Sequence, residues 1–158
     1  MTLFEKINQD MIQALKAGEK ERLTLLRGLK SDLKYKQIDK GDELTDEDVI
    51  AVLSSQAKKH RESIEQFQKG GREDLVQKEQ AELAIITSYL PEQLSEDKLR
   101  EIINEAVAET GADSPQKVGL VMKVVMPKIK GQADGKIVNN LATEILAKRV
   151  ENFLYLAK

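Results

Sequence analysis

The stretch VMPKIKGQADGKIVNN, residues 125–140, combines signals that end one helix and begin another. Pro127 lacks a backbone N–H and disfavours helix at the residue before it, so the preceding helix is expected to end or distort there. Gly131 can adopt the left-handed conformation that closes a helix end. Asp134 followed by Gly135 is typical of an N-cap and the first residue of a new helix. The stretch therefore predicts a tight bend between two helices.

Turn geometry does not account for the lysines around this bend, which are Lys123, Lys128, Lys130 and Lys136. Lysines near a helix C-terminus complement the helix dipole, which explains Lys128 and in part Lys130. Lys136 lies at a helix start, where the dipole disfavours it and an anion such as phosphate would offset the cost. Asp134 argues the other way, because its carboxylate would compete for the same helix N-terminus. These residues leave both a simple turn and a phosphate-binding surface open.

Charge is distributed unevenly along the chain. The net charge of the 158 residues is −2, but residues 115–150 hold seven Lys and Arg residues against Asp134 and Glu144. A local patch, rather than the total, determines attraction to phosphate. Aromatic residues make up 4% of the chain and Trp is absent, so reading of single-stranded nucleic acid by base stacking is not expected.

Helical periodicity and dense capping signals predict an all-α protein. About four helices are expected in an amino-terminal domain over residues 1–90, followed by a linker at residues 91–94. A small three-helix domain is expected over residues 95–148, and residues 149–158 form a carboxy-terminal extension. The predicted N-caps are Thr2, Thr45, Ser95, Ser114 and Asp134, and the fourth helix is expected over 72–90 with Leu75 on its apolar side.

Catalytic, metal or cofactor sites are not predicted, and the absence of Cys excludes disulfides and cysteine nucleophiles. His60 is the single histidine and is flanked by Lys59 and Arg61, so a solvated helix face is favoured over a metal or catalytic role. The acidic run at Thr45–Val49 favours helix capping over metal binding. The start of the sequence lacks the pattern of a signal peptide, and no apolar run approaches the ~18 residues of a membrane span. We expect a cytoplasmic protein without a membrane partner.

The ending RVENFLYLAK does not continue the apolar stripe of the last helix. Val150, Phe153 and Leu154 share a face that is rotated by more than roughly 90° from that stripe. The tail is expected to pack on another surface, including that of another molecule; the alternative is that it hangs free.

The segment VGLVMKVVMPKIKGQADGKIVNNLATEIL resembles the signature of the GatB/YqeY family. YLPEQLSEDKLREIINEAVAETGA is similar to the linker and following helix of that family, and RLTLLRGLKSDLK to its amino-terminal helices. The match covers nearly the whole chain, which therefore resembles a stand-alone YqeY-like protein. The resemblance implies an amino-terminal helical domain and a small carboxy-terminal helical domain. The same unit ends the B subunit of the glutamine-dependent aspartyl/glutamyl-tRNA amidotransferase, where it helps to hold tRNA.

The resemblance also implies a function and a set of site residues. It places tRNA contact at Lys123, Lys128, Lys130, Gly131 and Lys136, with Pro127, Asp134 and Gly135 shaping the turn. The family is described as a carbon–nitrogen ligase with glutamine as amido donor, but no residues here are expected to do that chemistry unaided. A non-catalytic tRNA-interacting module is the leading hypothesis, and DNA binding is not expected. The alternatives are a protein-interaction adaptor that uses the carboxy-terminal tail and an accessory subunit of an amidotransferase-like complex.

Overall fold

The computed structural model describes residues 1–157. These residues form seven α-helices and one 3₁₀ turn, and they contain no strand, so the all-α prediction is confirmed. The chain divides into two compact units, Met1–Pro91 and the part from Glu92 onward. The linker at residues 91–94 and the limits of the carboxy-terminal domain stay predictions. Within residues 1–157, none of the helices combines the length and the hydropathy that crossing a membrane requires.

The first unit consists of four helices, with α1 packed along α2 and α3 along α4. They span Leu3–Ala17 (α1), Lys20–Lys40 (α2), Asp46–Lys69 (α3) and Glu73–Ser88 (α4). The largest fully buried side chains of its main apolar cluster are Ile7, Leu26, Leu33, Leu53 and Ile86. Burial of these side chains at the expected helical spacing is what holds the four helices together.

Two reciprocal capping boxes fix helix starts in this unit. At α1, Thr2 Oγ1 accepts from the Glu5 N–H (3.1 Å) and a Glu5 carboxylate oxygen accepts from the Thr2 N–H (3.0 Å). At α3, Thr45 and Asp48 exchange the same two bonds at 3.2 and 2.9 Å. Each cap contributes about 1 kcal/mol to helix stability. The acidic run at the start of α3 therefore has a structural role, as expected.

The fourth helix is shorter than predicted. Val76 is buried near its start, which the prediction did not include, whereas Leu75 is partly buried. Around the helix, Val76 lies about 20° from Leu83 and Leu75 about 20° from Ile86, so the two residues border the apolar side from opposite edges. Tyr89 follows the helix, is 7% exposed, and donates its hydroxyl to Asp10 Oδ2 (2.5 Å).

The second unit contains three α-helices around its own core. They span Glu96–Thr110 (α5), Val118–Lys128 (α6) and Gly135–Ala157 (α7), with a 3₁₀ turn at Pro115–Lys117 before α6. Its core includes the fully buried residues Ile103, Val121, Val125, Ile129, Val138 and Leu146.

The starts of the helices in this unit agree only in part with the sequence. Ser95 accepts from the Lys98 N–H (3.2 Å) and caps α5 as expected. Ser114 occupies the N-cap position before Pro115 as predicted, but the helix it precedes is a 3₁₀ turn and its side chain makes no capping bond. Instead, its carbonyl accepts from the Lys117 N–H (3.0 Å), because Pro115 opens a 3₁₀ turn before the α-helix begins.

The carboxy-terminal tail continues α7 as helix to Ala157. Its apolar side chains stay exposed; Phe153 is 72% and Leu156 83% accessible to solvent. Of the two alternatives for the tail, the described part of the chain shows the exposed one.

Candidate nucleic-acid interface

The bend between α6 and α7 occupies residues 129–134 and is built around a buried isoleucine. α6 includes Pro127 and ends at Lys128, so the proline lies in the last turn and the helix ends just after it. Ile129 is 1% exposed and belongs to the core of the second unit. The Gln132 N–H donates to the Ile129 carbonyl (2.8 Å), which closes a four-residue turn. Gly131 occupies the third position of this turn with φ 73°, a conformation that only glycine adopts at little cost.

Residues 92–94 are hydrogen-bonded to this turn. Gln93 Nε2 donates to the Gly131 carbonyl (2.7 Å), and the Leu94 N–H donates to the Gln132 carbonyl (2.9 Å). Gln132 Nε2 donates in return to the Glu92 carbonyl (3.3 Å). We call these three bonds the clamp. The sequence did not predict the clamp. Residues 92–94 were expected to be a polar linker, and no periodic pattern in the sequence marks their partners about forty residues away.

Asp134 lies at the N-terminus of α7. Its Oδ1 accepts from the Lys136 N–H (3.1 Å), and its carbonyl accepts from the Val138 N–H (3.1 Å). A carboxylate therefore already occupies the position where a helix N-terminus would hold a phosphate. Gly135 is not required sterically, since an added Cβ would meet only Met126 Cε at an ordinary 3.5 Å.

All four lysines around the bend are exposed, but they do not form one continuous face. Lys123 and Lys128 are five residues apart on α6, which separates them by about 140° around the helix axis. Lys128, Lys130 and Lys136 lie at the bend itself. The buried Ile129 between Lys128 and Lys130 anchors the segment that carries them.

Carboxylates partly balance the basic charge of this unit. Lys128 Nζ lies 3.6 Å from Glu109 Oε2, and Lys117 Nζ lies 3.0 Å from Asp113 Oδ1. The hydrogen bond from Lys117 lowers the pKa of Asp113 below its usual value. Both acidic partners precede residue 115, so the charge count over residues 115–150 overstates the excess of positive charge near the bend. The Lys128 pair is more than half exposed on both sides, and such pairs are too weak to prevent a lysine from binding phosphate.

His60 does not lie on a solvated helix face, and that prediction is wrong. Its side chain is 14% exposed, and Nδ1 lies 2.5 Å from Glu79 Oε2 and 3.6 Å from Glu82 Oε2. The reason is the packing of α3 against α4, which brings two carboxylates to the histidine from 19 or more residues away. The neighbours of His60 in sequence, which favoured the solvated interpretation, project about 100° away from it on the helix.

The chain resembles several curated proteins. A protein of Pyrenophora tritici-repentis named altered inheritance of mitochondria protein 41, mitochondrial, is 28% identical over 150 residues, which cover 93% of this chain and 82% of that protein. A protein of the same name from Eremothecium gossypii is 38% identical over 85 residues, covering 53% and 46% of the two chains. A subunit of the glutamyl-tRNA(Gln) amidotransferase of Methanospirillum hungatei is 38% identical over 63 residues, or 37% of this chain and 10% of that protein.

These relatives correct the expected location. The cytoplasmic prediction rested on the absence of a signal-peptide pattern and of Cys. It is contradicted, because the relatives from Pyrenophora, Eremothecium and Kluyveromyces are all named as mitochondrial proteins.

A family model matches most of the chain and identifies its family. The family model described as Yqey-like protein matches residues 4–146, which include nearly all of the four helices of the first unit, α5, α6, the bend and the first half of α7. The local similarity to part of an amidotransferase agrees with the relationship that the bend suggested. The chain belongs to the YqeY-like family and is related to a subunit of the glutamyl-tRNA(Gln) amidotransferase.

Proposed function

We propose that the second unit binds tRNA through the bend between α6 and α7. The observation that carries this proposal is the placement of Lys128, Lys130 and Lys136, exposed around a turn that Ile129 and the clamp hold in one conformation. Holding the turn in place lowers the entropy lost when the lysines meet phosphates. A relative that is named as part of a glutamyl-tRNA(Gln) amidotransferase supports tRNA as the nucleic acid.

Recognition would depend on the phosphate backbone and on shape. Lysine side chains, rather than the α7 N-terminus, would bind phosphate, because Asp134 already caps that helix. The bend itself, residues 125–140, contains no aromatic residue for base stacking. Folded RNA is the expected ligand, and DNA is not.

Filter binding of purified tRNA at several salt concentrations tests the proposal. Affinity should fall steeply with salt, and replacing Lys128, Lys130 and Lys136 with Ala should reduce the slope of log affinity against log salt by about three. A charge-matched control replaces three exposed lysines of the first unit, Lys16, Lys34 and Lys36, with Ala. The absence of binding at low salt, or an equal loss in both triple variants, would reject the proposal.

A second candidate function is protein interaction through the tail of α7. The observation that favours it is the run Phe153–Leu156, in which every side chain is more than half exposed. Co-purification from cell extract, with and without nuclease, separates this function from tRNA binding. A partner that survives nuclease treatment and is lost with Phe153→Ala and Leu154→Ala supports the adaptor.

We propose a role in amidation only for a complex of this chain with other subunits. The chain is expected to be non-catalytic alone, and the ligase activity described for the family would need an assembly in which this chain is an accessory subunit. Adding the chain to a glutamine-dependent tRNA amidation assay tests this role, and an unchanged rate argues against it. The names of the relatives support a mitochondrial location, which fractionation of the source cells would test.

A further inference from the structure

We propose that His60, Glu79 and Glu82 form a binding site for one divalent transition-metal ion such as Zn²⁺. The site belongs to the first unit and is independent of the tRNA-binding bend. One nitrogen and two carboxylate oxygens converge there from two helices, and the three ligand atoms all lie within 4.8 Å of one another.

The geometry matches what a small cation requires. Zinc binds histidine nitrogen and carboxylate oxygen at about 2.0–2.2 Å, so ligand atoms around one ion lie roughly 3–3.5 Å apart. His60 Nδ1 lies 2.5 Å from Glu79 Oε2 and 3.6 Å from Glu82 Oε2, which brackets that separation. For an ion to bind, the hydrogen bond between His60 and Glu79 would have to open to that separation through rotation of the two side chains.

Hydrogen bonding to His60 explains the position of Glu79 better than that of Glu82. The imidazole Nδ1 can donate one hydrogen bond, and Glu79 takes it. At 3.6 Å, Glu82 is beyond hydrogen-bond range of that nitrogen. Glu79 and Glu82 are also spaced i,i+3 on α4, where two carboxylates repel each other. A doubly charged ion between them would turn this repulsion into shared coordination.

The surroundings shelter the cluster while leaving it accessible. The three side chains are 14%, 20% and 26% exposed, which reduces competition from water without closing the site. Glu82 also lines a groove of about 550 Å³ between the start of α2 and α4, so the cluster lies beside a solvent-filled surface depression. The donor set of one imidazole and two carboxylates favours zinc-type ions over calcium, which prefers oxygen ligands alone.

Because His60 is the single histidine of the chain, its ring resonances report the site without ambiguity. Untagged full-length protein would be titrated with Zn²⁺ and followed by proton NMR, with calorimetry for affinity and stoichiometry. We expect one ion per chain, a saturable shift of the His60 signals, and a higher melting temperature with zinc but not with Ca²⁺.

The decisive variant is Glu82→Gln, because a purely structural His60–Glu79 pair would not depend on Glu82. This variant should weaken zinc binding at least about tenfold. Glu62→Gln, an exposed position on α3, serves as the matched control and should leave zinc affinity unchanged. His60→Ala should abolish binding, and circular dichroism would verify that each variant is folded. Absence of a saturable shift at His60, or equal affinity in Glu82→Gln and Glu62→Gln, would overturn the proposal.

Discussion

Shortening Ile129 to Ala should destabilise the second unit far more than removing either neighbouring lysine. Ile129 is 1% exposed and belongs to the same core as Val121, Val125 and Val138. Losing the three carbons beyond Cβ costs roughly 2.4 kcal/mol in transfer free energy at ~0.8 kcal/mol per carbon. The cavity that remains brings the expected loss to about 3–4 kcal/mol. Lys130→Ala, which shortens an exposed residue, should cost less than about 0.5 kcal/mol.

Urea unfolding followed by circular dichroism measures these losses. With a slope of about 2 kcal/mol per molar urea, the midpoint for Ile129→Ala should fall by about 1.5–2 M. Two compact units can unfold in separate steps, so amide hydrogen exchange along α7 would report the second unit alone. Ile129→Val should give an intermediate loss of about 1 kcal/mol. If Ile129→Ala and Lys130→Ala shift the midpoint equally, the bend is not anchored in the core and this argument fails.

Other residues make further predictions. Gly131→Ala should cost about 1–2 kcal/mol of unfolding free energy, because φ at this position is 73°. Gln93→Ala should cost about 1 kcal/mol, because its bond to the turn is lost. A urea midpoint equal to that of the wild type would contradict either prediction. The side-chain bond from Lys40 lowers the pKa of Asp48 from 3.8 to about 2. The stability it contributes is thus present above pH 3.8 and lost toward pH 2, and Asp48→Asn should remove this part of the acid transition. Burial raises the pKa of Tyr89 from 10 to about 12. Stability should therefore fall between those pH values in alkaline unfolding, less so in Tyr89→Phe.

Helix positions were predictable because each depends on residues within one or two turns. Thr2 and Thr45 carry the reciprocal caps that their sequences indicate. The details that differ depend on finer geometry. Ser114 precedes a 3₁₀ turn and makes no side-chain capping bond, and Val76 is buried beside the partly buried Leu75. Local chemistry determines where a helix lies, whereas packing selects which of two adjacent apolar residues becomes buried.

The features that sequence reasoning missed depend on partners distant in the chain. The Gln93–Gly131 bond joins residues 38 apart, and the His60–Glu79 contact joins residues 19 apart. A single sequence contains no periodic pattern that marks such pairs. The flanking Lys59 and Arg61 even favoured the wrong environment for His60, because adjacency in sequence is not adjacency on a helix face.

The structure also changes what the bend implies about function. Gly131, Asp134 and Ile129 are each explained by backbone conformation, capping or burial, so none of them is evidence for a ligand. Evidence for tRNA binding therefore depends on the exposed lysines, whose positions follow from how the turn is held. Variants that remove a lysine and variants that loosen the turn should then affect tRNA binding differently. Removing Lys130 should reduce the salt dependence of binding, whereas loosening the turn through Gln93 should weaken binding and leave the salt slope unchanged.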